Sequence, residues 1–170
     1  MGVCDSWRNP LNSHWKSWCS CIDMSEHDYP KSVEEILDPK MTFKPEALRA
    51  VRRFAKSKPW QGTYAERLDK FETLLADLSS CYGVQPPTLS VDGCEDGDSG
   101  RSCFIPALNT IILRGHLSVV TFLHEFGHVL GKDEREACRW SVNLFRRCFP
   151  KSWAKCEFDG HMIRRHRRES

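Results

Sequence analysis

Between Thr121 and Trp140 the chain reads TFLHEFGHVLGKDEREACRW, with two histidines and several acids inside its most apolar run. A buried ionised carboxylate is strongly disfavoured unless something neutralises it. His124 and His128 are four positions apart, and on a helix that spacing puts both imidazoles on one face, aimed at one point. Neutral imidazole is a good ligand for Zn2+. Glu125 lies one step round from His124, near enough to hold a water but not to ligate in the same way. The run His124-Glu125-Phe126-Gly127-His128 is H-E-x-x-H, the pattern of a hydrolytic zinc site. In such a site the metal lowers the pKa of a water and the carboxylate takes its proton. The competing reading is two histidines hydrogen-bonded in a core, with Glu125 on a solvated face. The apolar neighbours Val119, Val120, Phe122, Leu123, Phe126, Val129 and Leu130 argue against it, because they bury the helix.

A catalytic zinc site usually takes three protein ligands and keeps one position open. No third histidine follows closely, since His161 and His166 lie near the end of the chain. Asp133, Glu134 and Glu136 are the candidates. HEFGHVLGKDE can be written H-E-x-x-H-x-x-G-x-x-E, and a glycine at Gly131 lets the chain turn back and return a ligand. Metzincins use that spacing with a histidine last. The next helix carries its apolar stripe at Ala137, Trp140, Ser141, Leu144, Phe145 and Cys148. At about 100° per residue, Glu134 falls about 60° from Ala137 within the inward face, and Glu136 about 100° away on the other side. Asp133 and Glu136 also have an ordinary explanation as N-cap and capping-box partner. Glu134 is therefore preferred over Glu136.

Other elements must hold this helix in place. NTIILRG predicts a strand over Asn109 to Arg114, and Ser118 is a good N-cap for a helix over Val119 to about Leu130. Gly131 closes that helix; Asp133 caps another over Glu134 to about Arg147, with Pro150 beyond. Upstream, Pro45 opens a helix that Pro59 ends. A second helix over about Thr63 to Tyr82 carries the stripe Leu68, Phe71, Leu74, Leu75 and Leu78, and Gly83 stops it. PPTLSVDG reads as a short strand, DGCEDGDSGRS as a polar loop, and CFIPALN as a strand interrupted by Pro106. The organisation expected is an irregular Cys/Trp-containing arm over 1–42, with one helical turn near Ser32 to Leu37. A folded α+β domain over 43–157 and a basic, disordered tail over 158–170 complete it.

The chain has 170 residues and a formal net charge of +2, so charge alone does not imply nucleic acid. The tail, with Arg164, Arg165, Arg167 and Arg168, offers only a weak handle for it. No apolar run of about 18 residues appears, so no membrane span is expected. The start MGVCDS formally fits the myristoylation pattern, with Cys4 able to accept palmitate, but bacterial chains carry such starts without modification; the absence of an apolar signal core argues against secretion. Nine cysteines without a signal peptide point to reduced thiols and a cytoplasmic location. Cys4, Cys19, Cys21 and His14 could make a second small metal site, but scattered thiols explain them better.

NTIIL, LHEFGHVLG and EREACRWSVNLF together resemble the ImmA/IrrE zinc metallopeptidases of bacteria, phages and mobile elements. Members of that family show a strand, then HExxH, then a helix of the form E-x-x-A-x-x-[WF]-A-x-x-L. Here Glu134, Ala137, Trp140, Ser141 and Leu144 stand at those places. The match is good over about 40 residues and looser from PPTLSV onward. SprT-like proteases are a second resemblance, although they usually offer a third histidine.

The resemblance implies a zincin-like α+β fold over 43–157: a small mixed sheet with an edge strand beside a central HExxH helix, and extra helices N-terminal. It implies a zinc-dependent endopeptidase with Glu125 as the catalytic base and His124, His128 and Glu134 as metal ligands. The substrate would be a peptide or protein, a regulatory protein being one candidate. The strand at 110–114 is expected at the sheet edge beside the cleft, and His116, Arg114 and Arg139 are candidate oxyanion donors. The alternative is a non-catalytic interaction module that retains the scaffold. Glu125 argues for catalysis, because a purely structural site has no use for a general base.

Overall fold

The computed structural model describes residues 30, 32–92, 102–114, 117–158 and 163–165. The Cys/Trp-rich start of the arm, including Cys4, His14, Cys19 and Cys21, lies outside the described residues. α1 is Val33–Ile36, the single helical turn expected there, and the Ser32 side chain caps it by accepting from the Glu35 amide. α2, Pro45–Lys56, starts on proline, whose missing N–H has no partner to lose at that position. α3, Tyr64–Tyr82, starts from a reciprocal capping box between Thr63 and Glu66 and ends at Gly83, whose φ of 68° is left-handed.

Three strands follow: β1 Thr88–Asp92, β2 Cys103–Ile105 and β3 Thr110–Arg114. They form one mixed sheet in the order β1-β3-β2, with β1 parallel and β2 antiparallel to β3. The strand at 110–114 is thus central, not at the edge as expected. Its Ile111 and Leu113 are fully buried, and an apolar run of this kind suits flanking on both sides. β1 and β2 take the two edges instead. β2 is the shorter of them. Pro106 stops it after three residues and opens the short 3-10 turn Pro106–Leu108, and brevity with a proline boundary is what an edge strand tolerates.

α4, Val119–Val129, and α5, Glu134–Cys148, come next, with Ser118 and Asp133 as their side-chain N-caps. α6, Pro150–Trp153, follows directly. β4, Cys156–Phe158, then pairs antiparallel with β5, Ile163–Arg165. The tail expected to be disordered therefore carries a strand. Its composition favours solvation, but a neighbouring strand satisfies its backbone polar groups, which composition does not reveal.

The core gathers around α4. Phe122, Leu123 and Phe126 are fully buried. Phe122 meets Phe71 of α3 edge-on at 5.4 Å between ring centroids, and Phe71 meets Phe54 of α2 at 5.0 Å. On its other side α4 packs against α5 with almost no side-chain bulk between the backbones. A Cβ on Gly127 would stand 3.0 Å from the Ala137 Cβ and 3.1 Å from its Cα. The connection between the two helices turns at Gly131, with a φ of 75° that disfavours any side chain there.

A polar ladder on another face of α5 fastens the segment 35–43. Arg135 pairs with Glu35 at 3.5 Å and Arg139 with Asp38 at 3.3 Å. The buried Asn143 donates to the Ile36 carbonyl at 2.8 Å and accepts from the Asp38 amide at 3.0 Å. Arg147 donates to the Pro39 carbonyl and lies over the Phe43 ring. These four residues recur every four positions, which on a helix makes one row. Among the described residues no helix is long and apolar enough to cross a membrane.

Candidate metal centre

α4 supplies His124, Glu125 and His128; α5 supplies Glu134 in its first turn. The Glu134 carboxylate spans both rings, with Oε1 2.9 Å from His124 Nε2 and Oε2 3.2 Å from His128 Nε2. The two Nε2 atoms are 3.1 Å apart, and the rings stand nearly perpendicular at 86°. Metal–ligand bonds of about 2.0 Å in a tetrahedron separate their ligand atoms by about 3.3 Å. The three side chains are thus spaced as such a set would be.

The proton pattern sharpens this. His128 Nδ1 lies 3.0 Å from the Lys132 carbonyl, which can only accept, so Nδ1 carries the hydrogen. In the neutral ring Nε2 is then a bare lone pair, and it faces a carboxylate oxygen. Two acceptors facing one another call for a positive charge between them. A proton is one answer. Burial alone pulls the His128 pKa down, but the Glu134 hydrogen bond, the Lys132 carbonyl and the charges of Glu134 and Glu125 outweigh it and hold it above the usual imidazole value. A divalent cation is the other.

Glu125 is only 5 % exposed, so it does not sit on a solvated face. Burial pushes its carboxyl above the usual glutamate value and Glu134 adds to the rise, while the two imidazoles and a hydrogen bond with the Phe104 backbone oppose it. The acid thus lies beside β2, one of the two edge strands.

Glu136 is exposed, and its amide donates to the Asp133 side chain at 2.7 Å. Asp133 thus caps the start of α5. Of the candidate oxyanion donors, His116 lies outside the described residues. Arg139 pairs with Asp38 on the arm side. The Arg114 amide donates to Ser102 Oγ.

Cys138 was missed by the sequence reading, although it stands four positions after Glu134 and so on the same face of α5. Its Sγ is 3.6 Å from His124 Nδ1 and 4.0 Å from Glu134 Oε1. Burial first, then Glu134 and Glu125, push its thiol up to about 12, so without a cation it stays protonated at neutral pH. His124, Glu134 and Cys138 each offer a ligand atom within 4.8 Å of the others, a group able to hold a metal ion.

The chain is thus a mixed α+β protein whose paired helices α4 and α5 carry a cluster of imidazole, carboxylate and thiol groups fit for a cation. No family model, curated protein or solved structure matches it.

Proposed function

We propose that the chain is a zinc-dependent metalloendopeptidase of the ImmA/IrrE type with a zincin-like fold, holding Zn2+ through His124, His128 and Glu134. The observation that carries this is the Glu134 carboxylate set between both Nε2 atoms at 2.9 and 3.2 Å, with an acid buried alongside. Bound Zn2+ would supply the usual Lewis-acid chemistry, lowering the pKa of a water and polarising a carbonyl.

The chain's own residues do the rest. Lys132 fixes the His128 tautomer so that Nε2 faces inward. Glu125 takes the proton of the attacking water and passes it to the leaving amine; its raised pKa suits a base that must later act as an acid. Glu125 lies beside the Phe104 backbone of β2, and an extended peptide would add to that strand's outer edge through main-chain hydrogen bonds. A peptide or protein, with a regulatory protein as one candidate, is the substrate class.

The test is metal content with and without chelator, followed by cleavage of a peptide library by wild type and Glu125→Gln. Wild type should take up one Zn2+ and cleave. The variant should keep the metal and lose cleavage by about 10²- to 10⁴-fold. Wild-type protein that binds Zn2+ yet cleaves nothing would support the other reading, an interaction module around a structural metal. One observation favours that reading: Cys138 forms with His124 and Glu134 a group able to hold a metal ion, and a thiolate added to the donors would close the site as structural sites are closed.

A further inference from the structure

We propose that Cys138 is itself a ligand, its thiolate joining His124, His128 and Glu134 in a four-donor centre of mixed nitrogen, oxygen and sulfur. This rests on the metal reading above and gives the ion a chemical class: a thiophilic one such as Zn2+, in preference to Mn2+ or Mg2+. Each of the two helices supplies one pair of donors. His124 and His128 are four positions apart on α4, Glu134 and Cys138 four apart on α5, and that spacing puts each pair on one face. The helices meet between the pairs, where a Cβ on Gly127 would stand 3.0 Å from that of Ala137.

The sulfur lies beside two residues with which it would share the ion. It is 4.0 Å from Glu134 Oε1 and 3.6 Å from the His124 ring at Nδ1. Bonds of about 2.3 Å to sulfur and about 2.0 Å to oxygen, in a tetrahedron, put those two ligand atoms about 3.5 Å apart. The sulfur therefore has about 0.5 Å to close on the carboxylate, and a small turn about its single side-chain torsion covers that. His124, Glu134 and Cys138 already form a group able to hold a metal ion, whereas among the described residues Cys81, Cys103, Cys148 and Cys156 join no such group.

A cysteine ligates as thiolate, so its proton passes to solvent as the sulfur–metal bond forms. Soft sulfur suits Zn2+, while the harder Mg2+ and Mn2+ prefer oxygen. One thiolate among imidazole and carboxylate donors thus biases the site towards Zn2+. With four donors the resting site is closed, and a substrate enters only where the sulfur yields its place.

The experiment records Co2+ spectra, and Zn2+ and Mn2+ affinities by competition with a chromophoric chelator, for wild type, Cys138→Ala, Cys138→Ser and His124→Ala. Circular dichroism checks that each is folded. Wild type should show a thiolate-to-metal charge-transfer band that is lost in both Cys138 variants and in His124→Ala. Cys138→Ala should weaken Zn2+ by at least the roughly 10- to 100-fold that losing an outer partner of a ligand costs, and Mn2+ far less. Cys138→Ser keeps the hydrogen bonds but offers a poor ligand, so it should behave like Cys138→Ala. Three results overturn the proposal and leave the His124, His128 and Glu134 set in place: wild type that takes up Co2+ without the band, a band that survives Cys138→Ala, or Zn2+ affinity restored by Cys138→Ser. Wild type that takes up none of the ions overturns the metal reading and this proposal with it. A band in wild type that cleaves no peptide of the library supports the sulfur ligand and removes the peptidase reading.

Discussion

Two faces of α5 do opposite work. One face, with Glu134, Ala137, Cys138 and Ser141, lies against α4 so closely that a methyl group on Gly127 would crowd Ala137. The other, with Arg135, Arg139, Asn143 and Arg147, reaches outward through long polar side chains to the segment 35–43. The first fixes distances to fractions of an ångström by backbone proximity. The second grips by charge and hydrogen bonding, which adapts to small shifts and is screened by salt. A residue on the first face is judged by its volume and its donor atoms. One on the second is judged by how deeply it is buried.

The comparison can be broken most severely at Glu134. Glu134→Gln keeps the shape but removes the charge between the two imidazoles, so stoichiometric Zn2+ uptake and cleavage should both be lost, as read by metal analysis after dialysis. Next comes Gly127→Val, which pushes bulk into the α4–α5 contact. Overpacking of this kind destabilises by about 1–3 kcal/mol, and urea denaturation should show it together with weaker metal binding. On the other face, Asn143→Ala leaves the Ile36 carbonyl and the Asp38 amide without their partner, at about 1–3 kcal/mol. Its Zn2+ affinity should stay near wild type, and a large drop would mean that the two faces are not independent. The smallest effect is expected from Arg139→Ala. The Arg139–Asp38 pair is partly exposed and worth about 0–1 kcal/mol, so the change should fade in high salt.

What could be read in advance was local. The helices, their caps and the Gly83 and Gly131 stops follow from spacing and turn chemistry within a few residues. Glu134 was separated from Glu136 by the H-E-x-x-H-x-x-G-x-x-E spacing and by helical phase, and in the structure it is Glu134 that stands by the imidazoles while Glu136 is exposed. Non-local features were not legible. Asn143 and Asp38 are more than a hundred positions apart, and nothing in either neighbourhood announces the other. That β3 lies at the centre of the sheet and not at its edge has the same origin, because strand order depends on pairing across a loop. Cys138 is the instructive miss. Its spacing from Glu134 was visible, but among nine cysteines it reads most simply as one more scattered thiol.

The turn at Gly131 has a further consequence. It keeps every donor of the cluster between positions 124 and 138, so only a short loop must close for them to meet, and such closures are fast and entropically mild. A cation could thus gather the two helices early, before the distant strands and the arm have found their places. Refolding started in Zn2+ should then run faster than refolding in chelator, with the gain vanishing in His124→Ala.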